Sequence, residues 1–140
     1  MRPGHTLFEL LMVLAIIGVL LGIALPTAQR ALDAIHARGA AAEVASMFAL
    51  ARHTAVYRGT RAAVRLDTVR AAVTVHVGRD TVARRILRDV HGVTMHATRD
   101  SAAYGPTGRG FGGANATIVL TRRAAVESVV VSRLGRVRRQ

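Results

Sequence analysis

The chain has no cysteine and no lysine, only five aromatic residues, and eight acids against 20 arginines. Without cysteine there are neither disulfides nor thiolate metal sites, and the redox compartment leaves no mark on the sequence. The shortage of acids makes paired catalytic carboxylates hard to assemble, and Ser46, Ser101, Ser128 and Ser132 lack the G-x-S-x-G setting of an activated nucleophile. The chain is therefore not expected to be an enzyme. Its six histidines (His5, His36, His53, His76, His91 and His96) show no ligand spacing such as H-E-x-x-H, so neither a metal nor another cofactor is expected. Outside the long helix read below, the aromatics are just Tyr104 and Phe111, too few for an extended base-stacking platform.

One long apolar run is present. From Leu7 to Leu25 there are 19 residues whose only charge is Glu9, followed by Pro26. As a helix the run covers roughly 28 Å, close to the hydrocarbon thickness of a bilayer. A charged side chain at the centre of a membrane costs about 2.5 to 3.5 kcal/mol, and less near its edge, so Glu9 calls for a partner or a purpose. His5 and Glu9 are four apart and share a helix face, which lets the carboxylate neutralise its own amino terminus or that of a neighbouring subunit. A plain membrane anchor would not need the acid. A secretory signal peptide would have a shorter core of about 7 to 15 residues, more basic residues before it and a small-x-small cleavage site, where this chain has only Arg2.

The leader ending in Gly4, the acid at Glu9, the apolar run and Pro26 together resemble the class III signal of type IV prepilins and type II secretion pseudopilins. The resemblance implies a leader of residues 1–4, cut by a prepilin peptidase between Gly4 and His5, with methylation of the new amino terminus at His5, where the family usually has Phe. It further implies a single inner-membrane pass, with the N-terminus cytoplasmic and the remainder periplasmic. The arginines do not decide this orientation, because Arg2 precedes the run while Arg30 and Arg38 follow it.

At 140 residues the chain has room for one anchor helix and one small domain. Residues 5–26 form the expected membrane or filament-core half of a helix, with a kink near Pro26. Residues 27–59 form an amphipathic half with an apolar stripe at Ala28, Ala31, Leu32, Ile35, Gly39, Ala42, Ala45, Phe48, Ala49 and Ala55. Gln29, Arg30, Asp33, Arg38 and Glu43 mostly face elsewhere, and the helix is expected to end near Arg58-Gly59. Residues 60–140 form a β-rich domain, where the period changes to two. Val64 and Leu66, then Val73, Val75 and Val77, then Val93, Met95 and Ala97 alternate with polar residues. Val82 to Leu87 reads as an edge strand, and Ile118 to Thr121 with Val126 to Ser132 as a pair. The polar, glycine-rich stretch 99–115 reads as an irregular loop. Within it, Gly108 to Gly113 matches G-x-G-x-x-G, but a strand pattern follows where a dinucleotide site needs a helix, so the match carries no phosphate site.

The excess of arginine favours polyanions. Six arginines fall in the last 19 residues, opposed only by Glu127. If the end is extended, Arg136 and Arg138 project from one face and Val137 from the other, and two guanidinium forks side by side suit adjacent phosphates. A charged final strand also serves as a solvated edge that prevents sheet-to-sheet pairing. Both readings stand at this level.

Ala51-Arg52, Ala55, Gly59, Val64 and Leu66, together with Leu134-Gly135-Arg136-Val137-Arg138, resemble the helix end, first strand and "GRxR" ending of the GspH/FimT group within the pilin superfamily. The resemblance implies an α+β, type IV pilin-like fold, with a long N-terminal helix packed on an antiparallel β-sheet domain. It implies a minor pseudopilin of a type II secretion system, partnered by major and minor pilins and by an inner-membrane assembly platform, with Glu9 acting in assembly. The alternative it offers is a FimT-like minor pilin that binds DNA during transformation through Arg133, Arg136, Arg138 and Arg139, aided by Arg109.

Overall fold

A computed structural model describes residues 6–111 and 115–140 of the chain. The chain divides into two compact units, the first ending at Leu32 and the second running from Asp33 to Gln140. Helix α1 (Leu7–Tyr57) contributes to both.

In the first unit the helix begins after Thr6, whose Oγ1 accepts a hydrogen bond from the Glu9 backbone N–H at 3.2 Å, the bond of an N-cap. Every described residue from Thr6 to Leu32 is exposed. The segment is long and apolar enough to cross a membrane. Pro26 lies inside the helix, where its ring removes one backbone donor. The next residue, Thr27, turns its hydroxyl back to the Ile23 carbonyl at 3.3 Å.

In the second unit α1 buries Val44, Met47, Phe48, Ala51 and Ala55 at spacings of three and four. The helix ends where Gly59 takes φ 60° and the Thr60 N–H returns to the Ala55 carbonyl at 3.1 Å, satisfying an otherwise orphaned acceptor. Two antiparallel sheets follow. The first contains β1 (Ala62–Asp67), β2 (Ala72–Val77), β3 (Asp80–Ile86), β5 (Ser101–Tyr104) and β6 (Gly110–Phe111), in the order β3-β2-β1-β5-β6. The second contains β4 (Thr94–Ala97), β7 (Ala116–Arg122), β8 (Ala125–Val131) and β9 (Val137–Arg139), in the order β4-β7-β8-β9. A short helix, α2 (Leu87–His91), links β3 to β4. The core joins Val44 and Phe48 of α1 to Val64, Val73, Val75 and Tyr104 of the first sheet and to Ile118, Leu120, Val129 and Val131 of the second. This is the α+β architecture expected of a pilin-like chain.

Two expectations are corrected. The stretch 99–115 is not simply an irregular loop: it supplies β5, which pairs with β1 from Ala62↔Tyr104 to Arg65↔Ser101, and β6, which pairs with β5. Tyr104 is the largest of the fully buried side chains. The helix stripe is also rotated from its expected position. Leu32 and Ile35 are exposed, while Asp33, expected to face elsewhere, is buried. Its carboxylate is compensated by Arg122, whose Nε donates to Oδ1 at 2.8 Å, with Arg123 Nη1 3.6 Å from Oδ2. A buried acid is tolerated when it is paired in this way.

Candidate functional site

Two regions carry the residues singled out by sequence. At the N-terminal end, Gly4 and His5 lie outside the described residues, as does any contact between His5 and Glu9. Glu9 sits in the first turn of α1. A carboxylate there stands at the positive end of the helix dipole.

The other region is the C-terminal strand and its surroundings. A tight turn at residues 132–135 feeds β9, closed by the Gly135 N–H on the Ser132 carbonyl (2.8 Å), the Ser132 N–H on the Arg136 carbonyl (2.8 Å) and the Arg136 N–H on Ser132 Oγ (3.1 Å). Gly135 is buried at φ 79°, and a Cβ there would fall 2.5 Å from Tyr104 Cε1, so only glycine fits against the ring. The Tyr104 hydroxyl donates to the Gly135 carbonyl at 3.3 Å. Burial pushes the phenol up to about 12, so it keeps its proton and remains a donor. The turn that aims the last arginines is thus seated on a core residue.

β9 pairs with β8 in the register Val131↔Val137, Val130↔Arg138, Val129↔Arg139. Cross-strand partners share a face. Val137 and Arg139 therefore lie on the face of buried Val131 and Val129, and Arg138 lies on the opposite face. Arg136, Arg138 and Arg139 are all exposed, as are Arg133 in the turn and Arg109 in the β5–β6 connection. That connection touches α1: a Cβ on Gly108 would lie 3.1 Å from Val56 and 3.2 Å from Arg52 Nε.

Two concavities flank β9. One, of about 710 Å³, is lined by Arg38 and Ala41 of α1 with Glu127, Arg138, Arg139 and Gln140. The other, of about 480 Å³, lies between Ala45, Ala49 and Arg52 of α1 and Tyr104, Arg136, Val137 and Arg138. Arg38 and Arg52, which the sequence reading left out of the site, border it from the helix. Their signal was available, since Arg38, Ala45 and Arg52 recur every seven residues and fall on one side of a helix. Glu127 is the one acid lining these walls, and it holds Arg38 at 3.2 Å. This is an exposed pair, worth about 0 to 1 kcal/mol and readily exchanged for another anion.

The glycine-rich match at Gly108 to Gly113 has no helix after it. Gly112 and Gly113 lie outside the described residues, and the next element is strand β7. His76 and His96 stand on the polar sides of β2 and β4, and His76 Nδ1 lies 3.2 Å from Thr81 Oγ1.

Comparisons with known proteins agree on the type of chain. The family described as Type II transport protein GspH matches residues 40–135, and the prokaryotic N-terminal methylation motif matches residues 2–25. Among solved structures, the type IV minor pilin FimU of Pseudomonas aeruginosa superposes with a TM-score of 0.64 at 14% identity, over 74% of this chain and 87% of that one. The minor pseudopilin EpsH from the type 2 secretion system of Vibrio cholerae gives 0.59 at 13% identity, over 75% of this chain and 96% of that one. No curated protein sequence matches the chain.

Proposed function

The chain belongs to the GspH family of type II transport proteins, and on that premise we propose that it is a minor pseudopilin of a type II secretion machine. Residues 5–26 hold it in the bacterial inner membrane, with the N-terminus cytoplasmic and the β-rich domain periplasmic. Prepilin peptidase removes residues 1–4 between Gly4 and His5, and the new terminus at His5 is methylated. The subunit then leaves the bilayer for a periplasmic filament built with other pilins on the inner-membrane platform, Pro26 bending the rod where it leaves the filament core. Glu9 directs this step by meeting the terminal amine of an adjacent subunit, an attraction that sets axial register and is strengthened by the low dielectric around it.

The observation that carries this reading is the apolar rod, exposed from end to end in the lone chain and holding a single acid in its first turn, attached to a domain of the GspH type. Deleting the gene, or replacing Glu9→Ala, is expected to abolish export of the machine's substrates into the medium. Undiminished export from either strain would remove the assignment. Mass spectrometry of filament-associated protein should find a chain beginning at methylated His5, and an intact Met1 there would exclude the processing step.

A second reading is favoured by the exposed arginines around β9: a FimT-like minor pilin that binds DNA through Arg136 and Arg138, with Arg133, Arg139 and Arg109 in support. Such binding would be mainly to phosphates and would weaken steeply with salt. It predicts that the full chain in detergent micelles retards duplex DNA, and that Arg136→Ala with Arg138→Ala abolishes the effect. Equal retardation by the double variant would reject it.

A further inference from the structure

The hydrogen bonding of β9 shows which of its backbone groups are turned outward. Gln140 exchanges both bonds with Ser128, at 2.9 and 2.8 Å, and the Arg136 carbonyl accepts from Ser132. In an antiparallel ladder, bonded pairs alternate with non-bonded ones. Arg136, Arg138 and Gln140 therefore point their N–H and C=O groups at β8, while Val137 and Arg139 point theirs away from it. β9 is the last strand of its sheet among the described residues, so these donors and acceptors form an open edge.

That edge borders the two concavities, which both reach Arg138 and both have α1 as their opposite wall. Arg38 and Arg52 stand fourteen positions apart on that wall, roughly 21 Å along the helix. The length suits about six residues of extended chain at about 3.3 Å each. From these features we infer that the groove between α1 and β9 receives an acidic, extended segment of a different filament subunit, which adds to the sheet as a strand beside β9. Its backbone pairs with Val137 and Arg139, and its carboxylates meet Arg38, Arg52, Arg136 and Arg138.

Charge and hydrogen-bonding chemistry select this occupant. A second copy of the chain is disfavoured, because eight acids set against 20 arginines leave it as cationic as the groove. A phosphate backbone satisfies arginines and N–H donors but has no donor to give the outward carbonyls, whereas an extended peptide supplies both donors and acceptors at strand spacing. The aromatic side chains that line the groove, Phe48 and Tyr104, are both fully buried, Tyr104 with its hydroxyl engaged, so neither offers a face for a base. Arginines on an edge repel cationic strands and discourage unspecific pairing; the same charges admit an acidic one. Glu127 occupies Arg38 in the lone chain and is displaced when a carboxylate arrives.

The inference rests on the filament reading for the identity of the partner, yet its test needs only the purified full chain in detergent micelles. The probe is a labelled hexapeptide of alternating Val and Glu, followed by fluorescence anisotropy. Binding is expected for this peptide and not for its Val/Lys counterpart. Methylating the peptide's edge-facing nitrogens, which removes backbone donors but no charge, should weaken binding about tenfold. Val137→Pro, which removes an outward N–H and no bond to β8, should do the same, and Arg136→Gln with Arg138→Gln should lower affinity further. The N-methylated peptide supplies the answer if the proline variant misfolds. Equal affinity for the methylated and unmethylated peptides would reduce the groove to a charged surface and overturn the strand docking. A duplex DNA that binds where the acidic peptide does not would reassign the arginines to phosphate. Binding of neither probe would also overturn the inference, while export from the deletion strain would still judge the filament reading independently.

Discussion

Residues 7–32 and residues 33–57 share one helix and follow opposite rules. The first stretch is the more apolar, yet none of its residues is buried; the second is rich in alanine and buries ten. Large side chains such as Leu14, Ile16 and Leu20 remain about half exposed or more, whereas Ala37, Ala40, Ala41 and Ala51 are fully or almost fully enclosed. A stretch becomes part of a chain's own core by fitting against its own sheets, and small residues do so by letting strands approach closely. A rod of large aliphatic residues without such sheets needs lipid or other rods around it, since an exposed apolar surface of this extent marks an interaction site.

The sharpest way to break this comparison is to truncate one large residue in each stretch. Phe48→Ala should lower the unfolding free energy of the domain by about 3 to 5 kcal/mol in a denaturant titration, because Phe48 is fully enclosed by both sheets and α1. Ile16→Ala should change it by no more than about 0.5 kcal/mol. The converse substitution is Ile16→Asp, which adds about 2.5 to 3.5 kcal/mol to membrane insertion and should release the chain from the membrane fraction without altering domain unfolding. If Ile16→Ala destabilises the domain as much as Phe48→Ala does, the first stretch contributes to the domain's stability after all.

A smaller effect tests how firmly the C-terminal turn is seated. Gly135→Ala would drive a methyl into the Tyr104 ring and hold alanine at a positive φ. Overpacking of this kind costs about 1 to 3 kcal/mol. Leu134→Ala, one residue away and exposed, should be nearly silent. If both variants unfold at the same denaturant concentration as the parent, the turn is not anchored on Tyr104.

These residues also show what the sequence could disclose. The alternation of Val64 with Leu66 and of Val73 with Val75 is visible because β1 and β2 each bury one face, and a period of two then appears in hydropathy. The β5 strand was hidden for the opposite reason. Its residues Ala102, Ala103 and Tyr104 are all buried, with no polar residue between them, and Gly105-Pro106 follows immediately, so it reads as part of a loop. Its place in the sheet comes from pairing with β1, some forty residues earlier. Asp33 was unreadable in the same sense: an acid can turn inward only if a cation meets it, and Arg122 is 89 positions away. The apolar rod and Glu9 were legible because length, hydropathy and a lone charge are local properties. The groove was half legible, its strand wall from the arginines after Gly135 and its helix wall only once α1 and β9 were brought together.

Asp33 allows a last, finer test, because it is the acid that the second stretch turns inward. The hydrogen bond from Arg122 holds its carboxyl below the ordinary value of 3.8, opposed by burial and aided by the charge of Arg123. A carboxyl whose pKa is lowered by folding contributes stability above its unfolded pKa and loses that contribution as pH falls through the folded one. The contribution should therefore be complete at neutral pH and decline only below about 3.8. Asp33→Asn keeps the shape and removes the titration, although it leaves Arg122 without its counter-charge. The variant should be the less stable of the two at pH 7, and the gap should narrow as both are titrated below that value. Denaturant midpoints measured from pH 7 to pH 2 would show this convergence. A gap that stays constant down to pH 2 would mean that Asp33 is held by packing alone and that the Arg122 contact does not tie the helix to the β7–β8 turn.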